Sequence, residues 1–158
     1  MKWFILIVSL GMVACSGKVV ITESEIKPDV FYANDSYKPF TGKCYVVFSD
    51  TNLIKEQFTY YRGQLHGEAL SYHKNGQLRR KGYFLYGQLS GKWELWDEKG
   101  NKIMEAGYLN DSLNGAYITL YENGKVKETG QYANNIRIGR WMKYDENGQL
   151  VEKLFIRN

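Results

Sequence analysis

Glycine returns in this chain with a period of 24 residues. Gly67, Gly91, Gly115 and Gly139 form one column, and Gly76, Gly100, Gly124 and Gly148 form a second. Tyr60, Phe84, Tyr108 and Tyr132 make a third column, and Gly63, Gly87, Asp111 and Asn135 a fourth. The fourth contains only residue types that tolerate a left-handed backbone. A repeat this short cannot bury a core alone, so each copy must stack on its neighbours. Two reversal points per repeat leave segments of about six residues, too short for stable helices and ordinary for strands. The 13 Tyr and only 2 Pro agree with that reading, because aromatic residues favour strands.

Each repeat is therefore a β-hairpin. In YHKNGQL, WDEKGNK, LYENGKV and YDENGQL the turn centres on Asn-Gly or Lys-Gly, a strong hairpin signal. A two-residue type I′ turn needs positive φ at both central positions, which Lys99 disfavours. A type I turn closing on a left-handed glycine suits all four copies. Positive φ is expected at Gly76, Gly124 and Gly148. Gly100 stands apart, since Asn101 reads as one residue added before Ile103 and implies a bulge in that strand.

Hairpins joined by short links add strands antiparallel to their neighbours. The expected fold is all-β: an elongated, twisted single antiparallel sheet, a meander of about ten strands and some 45 Å long at ~4.8 Å per strand. It is an open solenoid with a period of 24 residues. In the second strand of the third of these hairpins, Val126, Glu128, Gly130 and Tyr132 should share one side, opposite Lys125, Lys127, Thr129 and Gln131. Trp93 and Leu95 oppose Trp96, and Trp141 opposes Met142 and Tyr144, so aromatic rings fall on both faces. Gly82 and Gly130 leave room for a neighbouring ring to lie over the backbone. Cys44 joins the row of Ala69, Trp93, Tyr117 and Trp141. Glu128, Glu152 and Arg80 share a side with apolar neighbours, either facing one another across repeats or snorkelling outward.

The segments GKWELWDEKGNKIMEAGY and GRWMKYDENGQLVEKLFI, with looser copies GEALSYHKNGQLRRKGYF and GAYITLYENGKVKETGQY, resemble the MORN repeat, and more closely its bacterial variant. The resemblance runs from about Phe40 to Phe155, with YKPFTGKCYVVF as a degenerate opening copy. Leu154 replaces the mid-strand glycine of the last copy, and Arg137 breaks the Leu65, Leu89, Leu113 column, so the last repeat reads as a cap. The resemblance implies a binding role. Trp93, Trp96, Tyr117, Trp141 and Tyr144 are the candidate binding surface, because flat amphipathic rings supply contact area at low entropy cost. The same rings also serve as cross-strand core, and those opposite the Val126/Tyr132 side are the better candidates for binding.

At the start of the chain, Lys2 precedes an apolar run from Trp3 to Ala14 that ends at Cys15. The run is shorter than the ~20 residues a membrane span needs and resembles the bacterial lipoprotein signal, in which the cysteine is lipidated, palmitate being one acyl group used. The organisation that follows is a lipoprotein signal peptide over 1–14, a tether and N-terminal cap over 15–31, and a repeat domain over 32–158. The expected location is exported, lipid-anchored in the cell membrane or outer membrane. With Cys15 acylated, Cys44 has no intramolecular disulfide partner.

The chain carries 21 Lys and Arg against 17 Asp and Glu, mostly interleaved, so no polybasic face suggests nucleic acid. His66 and His73 are the only histidines; they fall in different columns and do not make a metal site. No nucleophile and base are placed together by a motif. No catalytic residue, metal or cofactor is expected, and the protein is not expected to be an enzyme. A monomer is expected, with a protein partner or envelope component as ligand and the membrane reached through Cys15. The alternative function is an antitoxin or immunity-type protein neutralising a toxin, a label carried by related bacterial proteins.

Overall fold

The turns dictate the strands, and the strands make one sheet. The computed structural model describes residues 18–22 and 38–157; Cys15, the proposed signal segment, most of the proposed tether, residues 32–37 of the proposed repeat domain and Asn158 lie outside them. Eleven strands follow in order: β1 Lys18–Thr22, β2 Gly42–Val47, β3 Ile54–Tyr61, β4 Gln64–Tyr72, β5 Leu78–Leu85, β6 Gln88–Trp96, β7 Lys102–Leu109, β8 Ser112–Leu120, β9 Val126–Ala133, β10 Ile136–Tyr144 and β11 Leu150–Ile156. Their order in the sheet is their order in the sequence. From β2 to β11 all neighbours are antiparallel. The meander is open and does not close into a barrel. β1 differs, pairing in parallel with β2 from Lys18↔Lys43 to Thr22↔Val47.

Two kinds of turn alternate. In the first, Gly76 N–H donates to the His73 carbonyl (2.9 Å) and His73 N–H to the Gln77 carbonyl (2.8 Å), and the pattern recurs at 97–101, 121–125 and 145–149. The closing glycines Gly76, Gly100, Gly124 and Gly148 have φ of 85°, 86°, 79° and 85°, while Asn75, Lys99, Asn123 and Asn147 are not left-handed. This is a type I turn followed by a left-handed glycine, a geometry that admits Lys99 without strain. Gly100 behaves like the other three. The bulge is not special to its strand either: the register skips Arg79, Ile103, Lys127 and Val151 alike, one residue past each turn.

That shared bulge corrects the expected faces. Val126 pairs with Leu120 while Glu128 pairs with Thr119. Opposed residues in an antiparallel pair share a face, so Val126 lies on the side opposite Glu128, Gly130 and Tyr132. Strict alternation fails because the bulged residue absorbs one step of the period of two.

The second kind of turn joins Tyr61 to Gln64, Leu85 to Gln88, Leu109 to Ser112 and Ala133 to Ile136 through two residues. Both residues are left-handed, as at Arg62 (49°) and Gly63 (78°) or Tyr86 (49°) and Gly87 (85°). These are type I′ turns. Each leans back on the preceding repeat: Gly63, Gly87, Asp111 and Asn135 donate their N–H to the carbonyls of Phe40, Leu65, Leu89 and Leu113. Asp111 and Asn135 also accept from Leu89 and Leu113 N–H through Oδ1, at 2.8 and 2.7 Å.

Candidate functional site

One face of the sheet carries a row in which small and large residues alternate from Gly82 to Trp141. Cys44, Phe58 and Ala69 lead to Gly82, and the row continues through Trp93, Ala106, Tyr117, Gly130, Trp141 and Leu154. The alternation is steric. A Cβ built on Gly82 would stand 2.1 Å from the Trp93 indole, and one on Gly130 2.2 Å from that of Trp141. Both indoles therefore lie flat on a glycine backbone, and Trp93 and Trp141 are only 3% and 2% exposed. Two extra residues fall on β6 and on β10 beside each indole, as they do on β4 and β8.

The rings gather in two clusters. Trp93 meets Phe84 edge-on at 5.3 Å and Tyr108 at 6.3 Å. Tyr117, Tyr132 and Trp141 are mutually in contact at 5.1 to 5.7 Å. Among the described residues no ring pair joins the clusters across Ala106. A third cluster, Phe40, Cys44, Val46 and Tyr60 with Phe58 and Leu65, forms the core of the opening repeat. Burial pushes the Cys44 thiol up to about 11, so it stays protonated and unreactive. Burial, with Cys44 and Glu56 beside it, holds the Tyr60 phenol at about 12.

The five candidate residues are divided by the sheet. Trp93, Tyr117 and Trp141 belong to the row just described. Trp96 and Tyr144 lie on the opposite face, where Trp96 pairs with Lys102 and Tyr144 with Leu150; both are half-buried. Lys102 Nζ sits 5.5 Å over the Trp96 ring and also meets Glu94 and Glu105, as Lys92 does. Although burial works against ionisation, the hydrogen bonds from Lys102 and Lys92 hold Glu94 below its ordinary range. Trp93 and Trp141 have almost no free surface, whereas Trp96 and Tyr144 retain some.

Arg137 makes more of its place than the sequence indicates. Standing in the leucine column opposite Tyr132, it lays its guanidinium 4.0 Å from the Trp141 ring centre. It also donates to Glu128 at 3.0 Å and to the Tyr132 hydroxyl at 3.4 Å. Those hydrogen bonds, Tyr132 first, raise its pKa. Glu128, Arg137, Trp141, Lys143, Glu152 and Leu154 line an open cleft of about 210 Å³. Lys143 closes the second ion pair there, 2.9 Å from Glu152. Glu128 and Glu152 do not face one another: Glu128 pairs with Arg137, and the exposed Glu152 with Lys143. Arg80 likewise reaches Glu56 at 3.8 Å and covers Trp93 at 5.4 Å.

The histidines stay apart. His66 packs between Tyr61 and Tyr86 at 5.6 and 4.7 Å, and His73 Nε2 lies 2.9 Å from the Trp96 carbonyl. Among the described residues no group of three His, Cys, Asp or Glu could hold a metal ion. The described surface offers ring edges, paired charges and strand backbone.

A family model for the MORN repeat variant matches residues 65–86, 113–134 and 137–158. These three segments are similar to the MORN repeat variant. Within the described residues, each matched MORN-variant segment begins at the strand position held by Leu65, Leu113 or Arg137 and contains one type I turn with its glycine. The unmatched stretch 89–110 between them has the same turn and the same bulge. MORN repeats point to a repeat scaffold or binding module. No curated protein matches the chain.

Proposed function

We propose that the protein is a non-catalytic MORN-repeat scaffold held at a bacterial cell envelope by acylation of Cys15, presenting its sheet to a protein partner or an envelope component. The observation that carries this reading is the separation of roles between faces. Trp93 and Trp141 are consumed by packing, while Trp96 and Tyr144 lie on the other side with ring surface to spare. Aromatic rings set among paired charges suit a polar, moderately sized interface. The apolar run before Cys15 is the support for the tether.

Two measurements test it. Photo-crosslinking residues placed at Trp96 and at Tyr144, in the acylated protein in its own envelope, should give the same discrete adduct, absent when the probe sits at Asn123 on the turn. Absence of an adduct at both face positions would contradict the binding role. Labelled palmitate should enter wild type and not Cys15→Ala; equal labelling would remove the tether. An adduct to a single toxic protein would convert the scaffold reading into the immunity one.

A further inference from the structure

The rim formed by the type I turns is stitched from repeat to repeat, and the stitches are uneven. Between the turns at 73–77 and 97–101, Asn75 Nδ2 donates to the Glu98 carbonyl at 2.7 Å and His73 Nε2 reaches the Trp96 carbonyl at 2.9 Å. Between the turns at 121–125 and 145–149, Asn123 Nδ2 donates to the Glu146 carbonyl and the Tyr121 hydroxyl to the Tyr144 carbonyl, both at 2.8 Å, and Lys125 Nζ donates to the Asn147 carbonyl at 2.9 Å. Two side chains recur in these stitches: an amide donor one residue before the glycine, and a ring donor three residues before it.

The turn at 97–101 has neither. Lys99 stands where Asn75 and Asn123 stand, and Asp97 where His73 and Tyr121 stand. A carboxylate only accepts, and Asp97 already accepts from Lys99 N–H and Asn101 N–H within its own turn. Between this turn and the one at 121–125 the one hydrogen-bonded contact among the described residues is the ion pair from Lys99 Nζ to Glu122 at 2.7 Å. Its side chains are 69% and 73% exposed. Exposed ion pairs contribute little and are screened by salt.

A second observation falls on the same joint. It separates β7 from β8, and the boundary between the Trp93 cluster and the Tyr117–Tyr132–Trp141 cluster runs there too. The opposite rim is covalent at this point, through the Asn110–Asp111 turn, which is tied to Leu89 by two hydrogen bonds. The β7–β8 ladder itself is intact from Met104↔Thr119 to Leu109↔Ser112. The joint can therefore change its twist without separating.

We propose that the β7–β8 boundary is a latched joint: the two halves of the sheet pivot about the Asn110–Asp111 turn, and the Lys99–Glu122 ion pair is the latch. The relative orientation of the two aromatic clusters then depends on ionic strength.

The test uses the full chain with nitroxides on ketone-bearing residues placed at Glu98 and Glu146, side chains outside the stitches, about 19 Å apart across four strands. This leaves Cys44 untouched. Double electron–electron resonance in wild type should give a distance distribution that broadens by about half between low salt and 1 M NaCl, where the Debye length is near 3 Å. Lys99→Asn, which restores the amide donor, should give a narrow distribution at both salts. Glu122→Gln should be broad at both. Circular dichroism reports that each variant keeps its sheet. Equal widths in wild type and Lys99→Asn at every salt concentration would overturn the latch, and a Lys99→Asn distribution as salt-sensitive as wild type would overturn it equally.

Discussion

The indole of Trp93 rests on the main chain of Gly82, so closely that a single methyl group there would lie 2.1 Å from the ring. The same relation holds between Trp141 and Gly130. A sheet with no second layer described above it can bury large rings only by letting them lie down on their neighbours, and a glycine on the adjacent strand is what permits that. Glycine within a strand weakens it by itself. Here the loss is offset by the apolar area of an indole taken out of water.

Gly82→Ala and Gly130→Ala should each destabilise the protein by about 2 to 3 kcal/mol, the upper range for overpacking. Chemical denaturation measures it. Adding Trp93→Leu to Gly82→Ala should recover part of the loss, because the methyl then meets a smaller neighbour; purely additive losses would contradict the packing relation.

Arg62→Asn should stabilise the protein. Arg62 holds φ of 49° at the first position of a type I′ turn, a conformation that costs a long L side chain roughly 1 kcal/mol and that asparagine tolerates. Its N–H bond to Thr41 Oγ1, at 2.9 Å, comes from the backbone and survives the change. A rise in thermal midpoint is expected, and a fall would place the value of Arg62 in its stacking on Tyr61 at 5.2 Å.

These two cases also mark what was legible in the sequence. The columns at Gly76 and Gly63 announced turns, and the interval between them announced strands, because turn chemistry is local. Gly82 and Gly130 are readable as seats for a ring because a glycine inside a strand leaves room over its backbone. Arg62 and Tyr86 were not readable, since neither residue type advertises a left-handed backbone; only the turn length imposed by the strand pairing does. Val126 falls on the face opposite the one its alternation predicts, because the bulge after each turn depends on register, which a single strand does not show. Arg137 was visible as a broken leucine column, but its bonds to Glu128 and Tyr132 come from three positions that only the folded sheet brings together.

Arg137→Leu should restore the column and still cost about 1 to 2 kcal/mol, because Glu128, 15% exposed at its side chain, loses its partner. Pairing it with Glu128→Thr, the residue type found at Thr119 in the same row, should return stability close to wild type. A double-mutant cycle in denaturant measures the coupling, and no coupling would mean that the ion pair is incidental.

Alkali should weaken the opening repeat. The Cys44 thiol moves from an ordinary value of 9.0 to about 11 in the fold, so the folded state favours the neutral form. Its contribution is fully present below pH 9 and is lost as the pH rises through about 11. Cys44→Ala should flatten the pH dependence of stability in that window. A native thiol that reacts quickly with an aromatic disulfide at pH 8 would contradict its burial.

The most direct test of the whole arrangement is the proton spectrum of two glycines. If each indole lies on the neighbouring backbone, the Hα resonances of Gly82 and Gly130 must be shifted strongly upfield by the ring current, and Trp93→Leu and Trp141→Leu must each return only the glycine it covers to an ordinary position. Random-coil shifts for both glycines in the wild-type protein would contradict the sheet as described.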